Sequence, residues 1–163
     1  MELKIELLKK SHHKSDFDSK TPLLDNYIKK QSSQDVKRDL TACYVLTEDN
    51  DVIGYYTLSS NSVPRDEMPE ELIQKLPSSY ESLPAILLGR LAVDHRKKGK
   101  GYGEILLIDA MQRSLELAEK LGILSVVVDP IDEAEESFYR KYGFIKIPSN
   151  GKMFIAMETI RKA

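Results

Sequence analysis

Near the start of the chain, the hydrophobic and polar positions predict one strand followed by one helix. Residues 3–7 place leucine or isoleucine at every second position with charged residues between them, which is typical of a half-buried strand. Thr21 followed by Pro22 is typical of a helix start, because proline fits the first helical position and threonine the position before it. We predict a short helix from there through Ile28, followed by a second, basic turn to Arg38.

The next segments predict a hairpin and then an irregular insertion. Two runs rich in β-branched and aromatic residues, 41–46 and 52–58, are separated by the polar residues 47–51, which indicates two antiparallel strands joined by a turn. Residues 61–84 contain several prolines and a helical pattern at 70–76. We interpret this segment as an insertion that forms a lid or a wall over a site.

The second half of the chain alternates strands and helices. A strongly apolar run at 85–93 predicts a strand, which leads through a glycine-rich loop into an amphipathic helix at 101–121. Gly122 ends that helix, and the β-branched residues at 123–128 predict a strand in the middle of a sheet.

The carboxy-terminal part predicts one more helix and a closing strand pair. Asp132 with Glu135 three residues later resembles a capping box, so we expect a helix from there to Gly143. Two short runs, 144–147 and 153–157, are predicted to pair as the last strands.

Length and composition indicate a single domain over residues 1–163. Hydrophobic residues make up 41% of the chain and charged residues 31%, as in a globular protein with one core. The net charge of -2 gives no general attraction to nucleic acid or to an anionic membrane, so such contacts would need a local patch. The single cysteine, Cys43, lies in an apolar run and is predicted to be buried in a strand. The charged start of the chain and the lack of a long apolar run predict neither a signal peptide nor a membrane span, and we expect a cytoplasmic protein.

The loop from Arg96 to Gly103 combines glycines with basic residues immediately before a helix. A glycine-rich turn at a helix start leaves backbone N–H groups without partners and aims them, with the positive end of the helix dipole, toward one point. Glycine also allows a ligand to approach the backbone closely. The basic side chains of the loop, which suit phosphate groups, are Arg96, Lys97, Lys98 and Lys100. The loop therefore predicts a phosphate site.

Two other kinds of phosphate-binding loop fit this sequence poorly. A P-loop requires Gly-Lys followed by serine or threonine, whereas Gly99-Lys100 is followed by Gly101. The dinucleotide fingerprint G-x-G-x-x-G follows the first strand of a parallel unit, whereas this loop reads G-x-G-x-G and follows the fourth predicted strand. Kinase, GTPase and NAD-dependent chemistry are therefore disfavoured. From the loop alone, an exposed turn shaped by glycines stays as the alternative.

Two motifs give the chain a resemblance to the GNAT acetyltransferases. The run Arg96-x-x-Gly99-x-Gly101-x-Gly103 resembles their acyl-CoA signature, and the run Ser-Phe-Tyr-Arg-Lys-Tyr-Gly-Phe at 137–144 resembles their second motif. Further runs resemble the GNAT toxins of toxin-antitoxin modules; they are Leu24-Asp25-Asn26-Tyr27, Gln34-Asp35, Gly54-Tyr55-Tyr56-Thr57-Leu58-Ser59 and Leu88-Gly89-Arg90-Leu91-Ala92-Val93-Asp94. The resemblance covers nearly the whole chain. It implies a mixed α/β (α+β) fold, with a mostly antiparallel central sheet of roughly six to seven strands flanked by helices.

The same resemblance implies acetyl-CoA as cofactor and identifies the residues that would bind it. In this family the main chain at the end of the strand pairs with the pantetheine, and the amides of the loop hold the pyrophosphate. The implied cofactor-binding residues are Leu91, Ala92, Val93, Arg96, Lys97, Lys98, Gly99, Lys100, Gly101, Tyr102 and Gly103. Tyr139 is implied to lie beside the cofactor sulfur, and it is our candidate general acid because a phenol can donate its proton as a thiolate forms. Packing against the sheet is the alternative role for Tyr139.

The acceptor is expected to be a primary amine, and the sequence favours an α-amine. The strand before the loop offers Arg90 and Asp94 rather than a glutamate that could act as general base. An α-amine with a pKa of about 7.7 to 8.0 has a usable unprotonated fraction at neutral pH, whereas a lysine-like amine at about 10.4 is almost wholly protonated. The resemblance to the toxins implies the same kind of acceptor, the α-amine of an aminoacyl-tRNA. Arg90 is our candidate substrate-binding residue, either as a contact for a tRNA phosphate or as a residue that shapes the site. A salt bridge to Asp94 or to another strand carboxylate is its alternative role.

Two basic clusters could provide a local surface for tRNA. One contains Lys9, Lys10, His12, His13 and Lys14, and the other contains Lys29, Lys30, Lys37 and Arg38. Solvated charge is the alternative interpretation of each cluster. The two histidines lack a metal-ligand pattern, so we interpret them as exposed loop residues and expect no metal.

The expected partners follow from these interpretations. They are acyl-CoA, an amine acceptor such as aminoacyl-tRNA, and a small antitoxin protein; a homodimer is also considered, and no membrane contact is expected. Two alternatives stay open. One is a GNAT enzyme that acts on a small-molecule amine or on a peptide or protein N-terminus, which the acidic sequence pI of about 6.0 favours. The other is a non-catalytic acyl-CoA-binding module.

Overall fold

A computed structural model describes residues 2–163, and within them the chain forms a seven-stranded sheet. The strands are β1 (Leu3–Leu7), β2 (Ala42–Glu48), β3 (Asp51–Pro64), β4 (Ser82–Val93), β5 (Ser125–Val128), β6 (Ile145–Lys146) and β7 (Met153–Ala156). Their order in the sheet is β1-β2-β3-β4-β5-β7-β6. β4 pairs with β5 in parallel, whereas the pairs β1-β2, β2-β3, β5-β7 and β6-β7 are antiparallel. The mixed, mostly antiparallel sheet expected from the sequence is confirmed.

The α-helices of the described residues flank this sheet. They are α1 (Pro22–Asn26), α2 (Ser32–Lys37), α3 (Glu70–Ile73), α4 (Tyr102–Ala118), α5 (Glu133–Lys141) and α6 (Met157–Lys162). A π-helical turn, Tyr27–Gln31, joins α1 to α2, and short 3-10 turns precede α3 and α4. Pro22 stands at the start of α1 as predicted, but Thr21 caps the helix through its carbonyl oxygen rather than through its hydroxyl.

The chain folds into two compact units. The first unit comprises the described residues up to Ser59 together with Leu88–Ala110, and the second comprises Ser60–Leu87 and Met111–Ala163. The single domain inferred from length stays a prediction.

The core of the first unit is aromatic. Tyr55 is fully buried; its ring lies edge-on to Phe17 with centroids 5.6 Å apart and stacks on Tyr27 at 6.3 Å. Cys43 lies in β2 in the same core and is fully buried, as predicted, and burial raises the pKa of its thiol to about 12. Gly54 in β3 allows close packing, since a Cβ there would lie 2.9 Å from the Leu106 Cδ1 atom and 3.2 Å from the Ala92 carbonyl oxygen.

The predicted hairpin is confirmed with a tighter turn than expected. β2 and β3 are joined by Asp49 and Asn50, whose φ angles of 50° and 76° form a two-residue turn of the type that favours hairpins. Aspartate and asparagine tolerate this left-handed conformation better than other residues with side chains do. The strands are therefore longer than the hydrophobic pattern alone indicates.

In the second unit, the predicted insertion is shorter because β3 continues to Pro64 and β4 begins at Ser82. The connection between them is organised by Arg65. Its guanidinium donates to four main-chain carbonyl oxygens, those of Ile73, Leu76, Pro77 and Tyr80, at 2.6 to 3.2 Å. One of them, the Ile73 carbonyl at the end of α3, also accepts from the Leu76 N–H at 3.0 Å. The role of this segment as a lid or wall stays a prediction.

The prediction that His12 is an exposed loop residue is wrong. His12 is only 6% exposed; its Nδ1 accepts from the Lys9 N–H, and its Nε2 lies 2.8 Å from a carboxylate oxygen of Glu6. The physical reason is that a buried histidine is tolerated when both ring nitrogens have partners, and Glu6 in β1 supplies one of them. His13 is exposed, as expected.

None of the helices within residues 2–163 combines the length and the apolar character needed to cross a bilayer.

Candidate active site

The loop predicted to bind phosphate begins with an ion pair between the buried carboxylate of Asp94 and the exposed guanidinium of Arg96. Asp94 is 2% exposed and accepts from Arg96 through both oxygens, at 2.9 Å from Nε and 2.7 Å from Nη2. It also accepts from the main-chain N–H groups of Arg96 and Asp18. These bonds, above all the one from the Arg96 guanidinium, hold the pKa of Asp94 well below its usual range. Asp94 therefore fixes the path of the chain into the loop.

Beyond this ion pair, the loop leaves its main-chain donors open. Within the described part of the chain, the N–H groups of residues 99–104 make no hydrogen bond, and the first helical bond in α4 is donated by Ile105 to the Gly101 carbonyl. Gly99 and Gly101 have φ angles of 80° and 81°, and a Cβ at either position would meet no atom within 4 Å. Several N–H donors at the start of a long helix are thus unpaired among the described residues, and the space beside both glycines is open. This arrangement fits the pyrophosphate of a coenzyme.

The basic side chains of the loop fall into two groups. Arg96 is tied to Asp94 and also donates to the Asp16 carbonyl at 2.8 Å, and Lys97 lies 3.0 Å from a carboxylate oxygen of Glu48. Lys98 and Lys100 are exposed, and within residues 2–163 neither takes part in a salt bridge. The structure therefore gives Arg96 and Lys97 partners in the protein, and leaves the charges of Lys98 and Lys100 open to a ligand.

Leu91, Ala92 and Val93 are the last residues of β4, directly before the loop. Ala92 is buried in the aromatic core of the first unit, while Leu91 and Val93 are half-buried. The parallel register between β4 and β5 includes Ala85–Leu87 against Ser125–Val127, earlier in the strand. Contact between residues 91–93 and the pantetheine stays a prediction.

Tyr139 lies in α5, in the second unit. Asp132 caps this helix by accepting from the Glu135 N–H at 2.8 Å, as the sequence predicts, and Glu135 in turn accepts from Ile131. The Tyr139 ring is 4% exposed and packs against Phe144, with centroids 5.2 Å apart.

The hydroxyl of Tyr139 makes no hydrogen bond to any of residues 2–163. Burial, with a smaller contribution from the charge of Glu135, raises the pKa of this phenol above its usual value. Tyr139 therefore stays protonated at neutral pH and holds a proton that no neighbouring group of the described chain accepts.

Arg90 in β4 has a partner that the sequence does not indicate. Its guanidinium carbon lies 3.4 Å from the centroid of the Tyr27 ring. The alternative of a salt bridge to Asp94 is wrong, because Asp94 is held by Arg96. Among residues 2–163, no carboxylate lies within salt-bridge distance of Arg90. Arg90 is half-buried and keeps its N–H donors for another group.

The basic clusters differ in how far they are neutralised. In the first, Lys9 and His12 both contact Glu6, and Lys14 donates to Ser33 at 2.8 Å. In the second, which is Lys29, Lys30, Lys37 and Arg38, no member takes part in a salt bridge with another described residue. Among residues 2–163, Lys10 and Lys14 of the first cluster and all four members of the second therefore have no carboxylate partner.

Three comparisons relate this chain to known proteins. A family model described as "Acetyltransferase (GNAT) domain" matches residues 39–146. A protein of Sinorhizobium fredii described as "Probable toxin TacT" is 36% identical over 148 residues, which span 85% of this chain and 81% of that protein. A "tRNA-acetylating toxin" of Mycobacterium tuberculosis is 32% identical over 134 residues, which span 82% of this chain and 79% of that protein. The solved structure of AtaT complexed with acetyl-methionyl-tRNAfMet is 26% identical, has a TM-score of 0.91, and covers 99% of this chain and 98% of that one.

Proposed function

Because the chain belongs to the GNAT acetyltransferase family, we propose that it acetylates the α-amine of an aminoacyl-tRNA and acts as the toxin of a toxin-antitoxin pair. The chain is an N-acetyltransferase, and acetyl-CoA is its cofactor. The observation that carries the choice of acceptor is its similarity to a protein described as a tRNA-acetylating toxin, at 32% identity. The partners in this proposal are aminoacyl-tRNA and a small antitoxin protein, and the place of action is the cytoplasm, where aminoacyl-tRNA is used.

The chemistry of the acceptor supports the same proposal. Acetyl-CoA supplies an activated acetyl group on sulfur. An α-amine with a pKa near 8 is partly unprotonated at neutral pH and needs little help from a general base. The residues of the strand before the loop, which include Arg90 and Asp94, offer no free carboxylate for that role, since Asp94 is held by Arg96. An acceptor whose amine is already partly unprotonated at neutral pH therefore suits this site.

The loop and the end of β4 would bind the cofactor. We assign the pyrophosphate to the open main-chain N–H groups of residues 99–103, with Lys98 and Lys100 adding positive charge. Arg96 and Lys97 shape the start of the loop through Asp94 and Glu48. The main chain of Leu91, Ala92 and Val93 would hold the pantetheine arm.

Tyr139 would supply the proton for the departing thiolate. The raised pKa keeps its hydroxyl protonated, and the absence of a partner within the described chain leaves that proton available. Packing against Phe144 restricts the ring, so the hydroxyl has a defined position. A thiol with a pKa of about 8.5 leaves more readily when a donor stabilises the forming charge.

The acceptor is tested by supplying the purified chain with labelled acetyl-CoA and a panel of amines. The panel contains aminoacyl-tRNAs, the same tRNAs without amino acid, small-molecule amines and peptide N-termini. We expect label on aminoacyl-tRNA, recovered as N-acetylated amino acid after hydrolysis of the ester. Turnover of small amines or peptides with none of aminoacyl-tRNA would overturn the proposal, and tight cofactor binding with no turnover at all would favour a binding module.

Tyr139→Phe tests the general acid. The kcat is expected to fall by about a hundredfold or more, while the dissociation constant of acetyl-CoA changes little, because the lost hydroxyl serves a chemical step. Tyr142→Phe, the same change at the end of the same helix, is the matched control and should keep most of the activity. Equal losses in kcat and in cofactor affinity would show that Tyr139 serves packing.

The toxin role has its own test, which is induction of the chain in a bacterium. We expect that induction of the unaltered chain arrests growth, and that induction of Tyr139→Phe does not. Normal growth with both forms, at equal protein levels, would remove the toxin role while leaving the acetyltransferase assignment in place.

A further inference from the structure

We propose that Tyr27 is a positioning residue, whose ring holds the Arg90 guanidinium in the orientation in which Arg90 contacts a phosphate of the tRNA acceptor end. The inference rests on the proposed function, because it requires an acceptor that carries phosphate. It adds a residue from the helical segment after β1, which the acyl-CoA motifs do not include.

The contact between the two side chains is close. The guanidinium carbon of Arg90 lies 3.4 Å from the centre of the Tyr27 ring, which is van der Waals contact. An arginine over an aromatic face is held by attraction between its charge and the electrons of the ring, and the N–H groups at its edge stay available to other acceptors. The ring therefore fixes the guanidinium without using its hydrogen-bond donors.

Tyr27 is itself held in place on several sides. Its side chain is 4% exposed and stacks on Tyr55 with an angle of 17° between the ring planes. The Tyr27 hydroxyl donates to an oxygen of Asp35 at 3.0 Å. Burial and this hydrogen bond raise the pKa of the phenol, so the hydroxyl stays a donor. A ring fixed at its face and at its hydroxyl is a rigid support for Arg90.

The local charges favour a phosphate as the group that Arg90 contacts. Asp94 pairs with Arg96, and Asp35 accepts a hydrogen bond from the Tyr27 hydroxyl. These two carboxylates therefore have partners other than Arg90. Lys29 and Lys30 follow Tyr27 in the same π-helical turn, and neither is neutralised by another described residue. Arg90 has unused donors and is held by a residue of the turn that carries these uncompensated lysines, which suits a polyanion better than a single carboxylate. Irregular turns of this π type are frequent at functional sites.

The test compares two acceptors that share an α-amine and differ in phosphate, which are methionyl-tRNA and methionine amide. In Tyr27→Leu, we expect the KM for methionyl-tRNA to rise about tenfold relative to the KM for methionine amide, with kcat little changed. Tyr27→Phe keeps the ring and should recover most of this loss. A rise that is equal for both acceptors, or a loss in Tyr27→Phe as large as in Tyr27→Leu, would overturn the role of the ring.

A double-mutant cycle with Arg90→Ala separates positioning from packing. If Tyr27 acts through Arg90, Tyr27→Leu should cause little further rise in the KM ratio once Arg90 is alanine. The plot of log KM for methionyl-tRNA against log salt should also lose about one unit of slope in both single variants, because one phosphate contact is lost. Fully additive losses, or an unchanged slope, would contradict the proposal.

Two further measurements keep the outcome interpretable. Arg90→Lys retains the charge but loses the flat guanidinium, so it should raise the KM for methionyl-tRNA relative to the KM for methionine amide. This variant tests the contact independently of whether Tyr27→Leu folds. The rate of the unaltered enzyme with methionyl-tRNA tests the proposed function separately: if only methionine amide is acetylated, the acceptor assignment fails. If methionyl-tRNA is acetylated and Arg90→Lys matches the unaltered enzyme in every constant, the Tyr27 inference fails alone.

Discussion

The two irregular connections that border β4 use their polar groups in opposite ways. Residues 65–81 precede the strand and residues 94–104 follow it, and both begin with a 3-10 turn and contain an arginine. In the first connection, Arg65 donates to four carbonyl oxygens of its own segment. In the second, Arg96 closes the first turn, but the N–H groups of residues 99–104 have no acceptor among the described residues.

The difference teaches how to tell a connection that serves the fold from one that serves a ligand. Main-chain groups that are satisfied internally add to stability and present nothing to a partner. Donors that remain open on a rigid helix start cost little while water reaches them, and they are ready for an anion. Changes in the first connection should therefore alter unfolding, whereas changes in the second should alter binding.

Gly101→Asp should give the largest effect. A carboxylate at the helix start would repel the pyrophosphate, and we expect the dissociation constant of acetyl-CoA to rise by about a hundredfold, which corresponds to about 2.7 kcal/mol. Calorimetric titration with acetyl-CoA measures it. Gly151→Asp is the matched control, because Gly151 also has a positive φ, 77°, and open space around it but lies in a different turn. Equal losses of affinity in the two variants would show that backbone strain, and not repulsion, is the cause.

Arg65→Ala should have the next largest effect, and on stability only. Removal of the guanidinium takes a donor from four carbonyl oxygens, of which those of Ile73 and Pro77 also accept from a main-chain N–H, and we expect the free energy of unfolding to fall by about 2 kcal/mol. Urea unfolding measures this change, and the affinity for acetyl-CoA should stay the same. Arg65→Lys should recover only part of the stability, because an ammonium cannot reach the same set of carbonyls. A large loss of cofactor affinity in Arg65→Ala would break the distinction between the two connections.

Asp94→Asn should show a smaller effect that depends on pH. The folded-state pKa of Asp94 is lowered, so its contribution to stability is present above the unfolded pKa of about 3.9 and is lost as pH falls through the folded value. Because Arg96 is half exposed and screened by water, we expect a loss of about 1 kcal/mol near pH 7. The difference in urea midpoint between the two proteins should be constant well above the unfolded pKa of about 3.9 and should narrow progressively below it. A difference that stays constant down to the lowest pH at which both proteins still fold would mean that the charge of Asp94 is not what matters.

Features that depend on neighbouring residues in the sequence were predictable. The helix after the glycine loop, the cap at Asp132 and the hairpin around Asp49 and Asn50 each arise from a local pattern. The phosphate-binding character of the loop belongs to this class too, because open N–H groups are a property of any glycine-rich helix start. The fold and the cofactor could therefore be predicted from the sequence.

Features that depend on a distant partner were not predictable. The burial of His12 depends on Glu6 in β1, and the contact of Arg90 in β4 depends on Tyr27, which lies in the helical segment after β1. The sequence predicts that Arg96 is a phosphate ligand, whereas in the structure its guanidinium donates to Asp94. A basic residue in a motif can thus serve the loop rather than the ligand. The π-helical turn and α6 also lack a local signal, since tertiary packing decides such short segments.

The bonds around Asp94 tie the amino-terminal segment to the cofactor loop. The Asp18 N–H donates to Asp94, and Arg96 donates to the Asp16 carbonyl. Deletion of the chain up to Asp18 would therefore act as a lesion of coenzyme binding, although the deleted residues lie far from the loop in sequence.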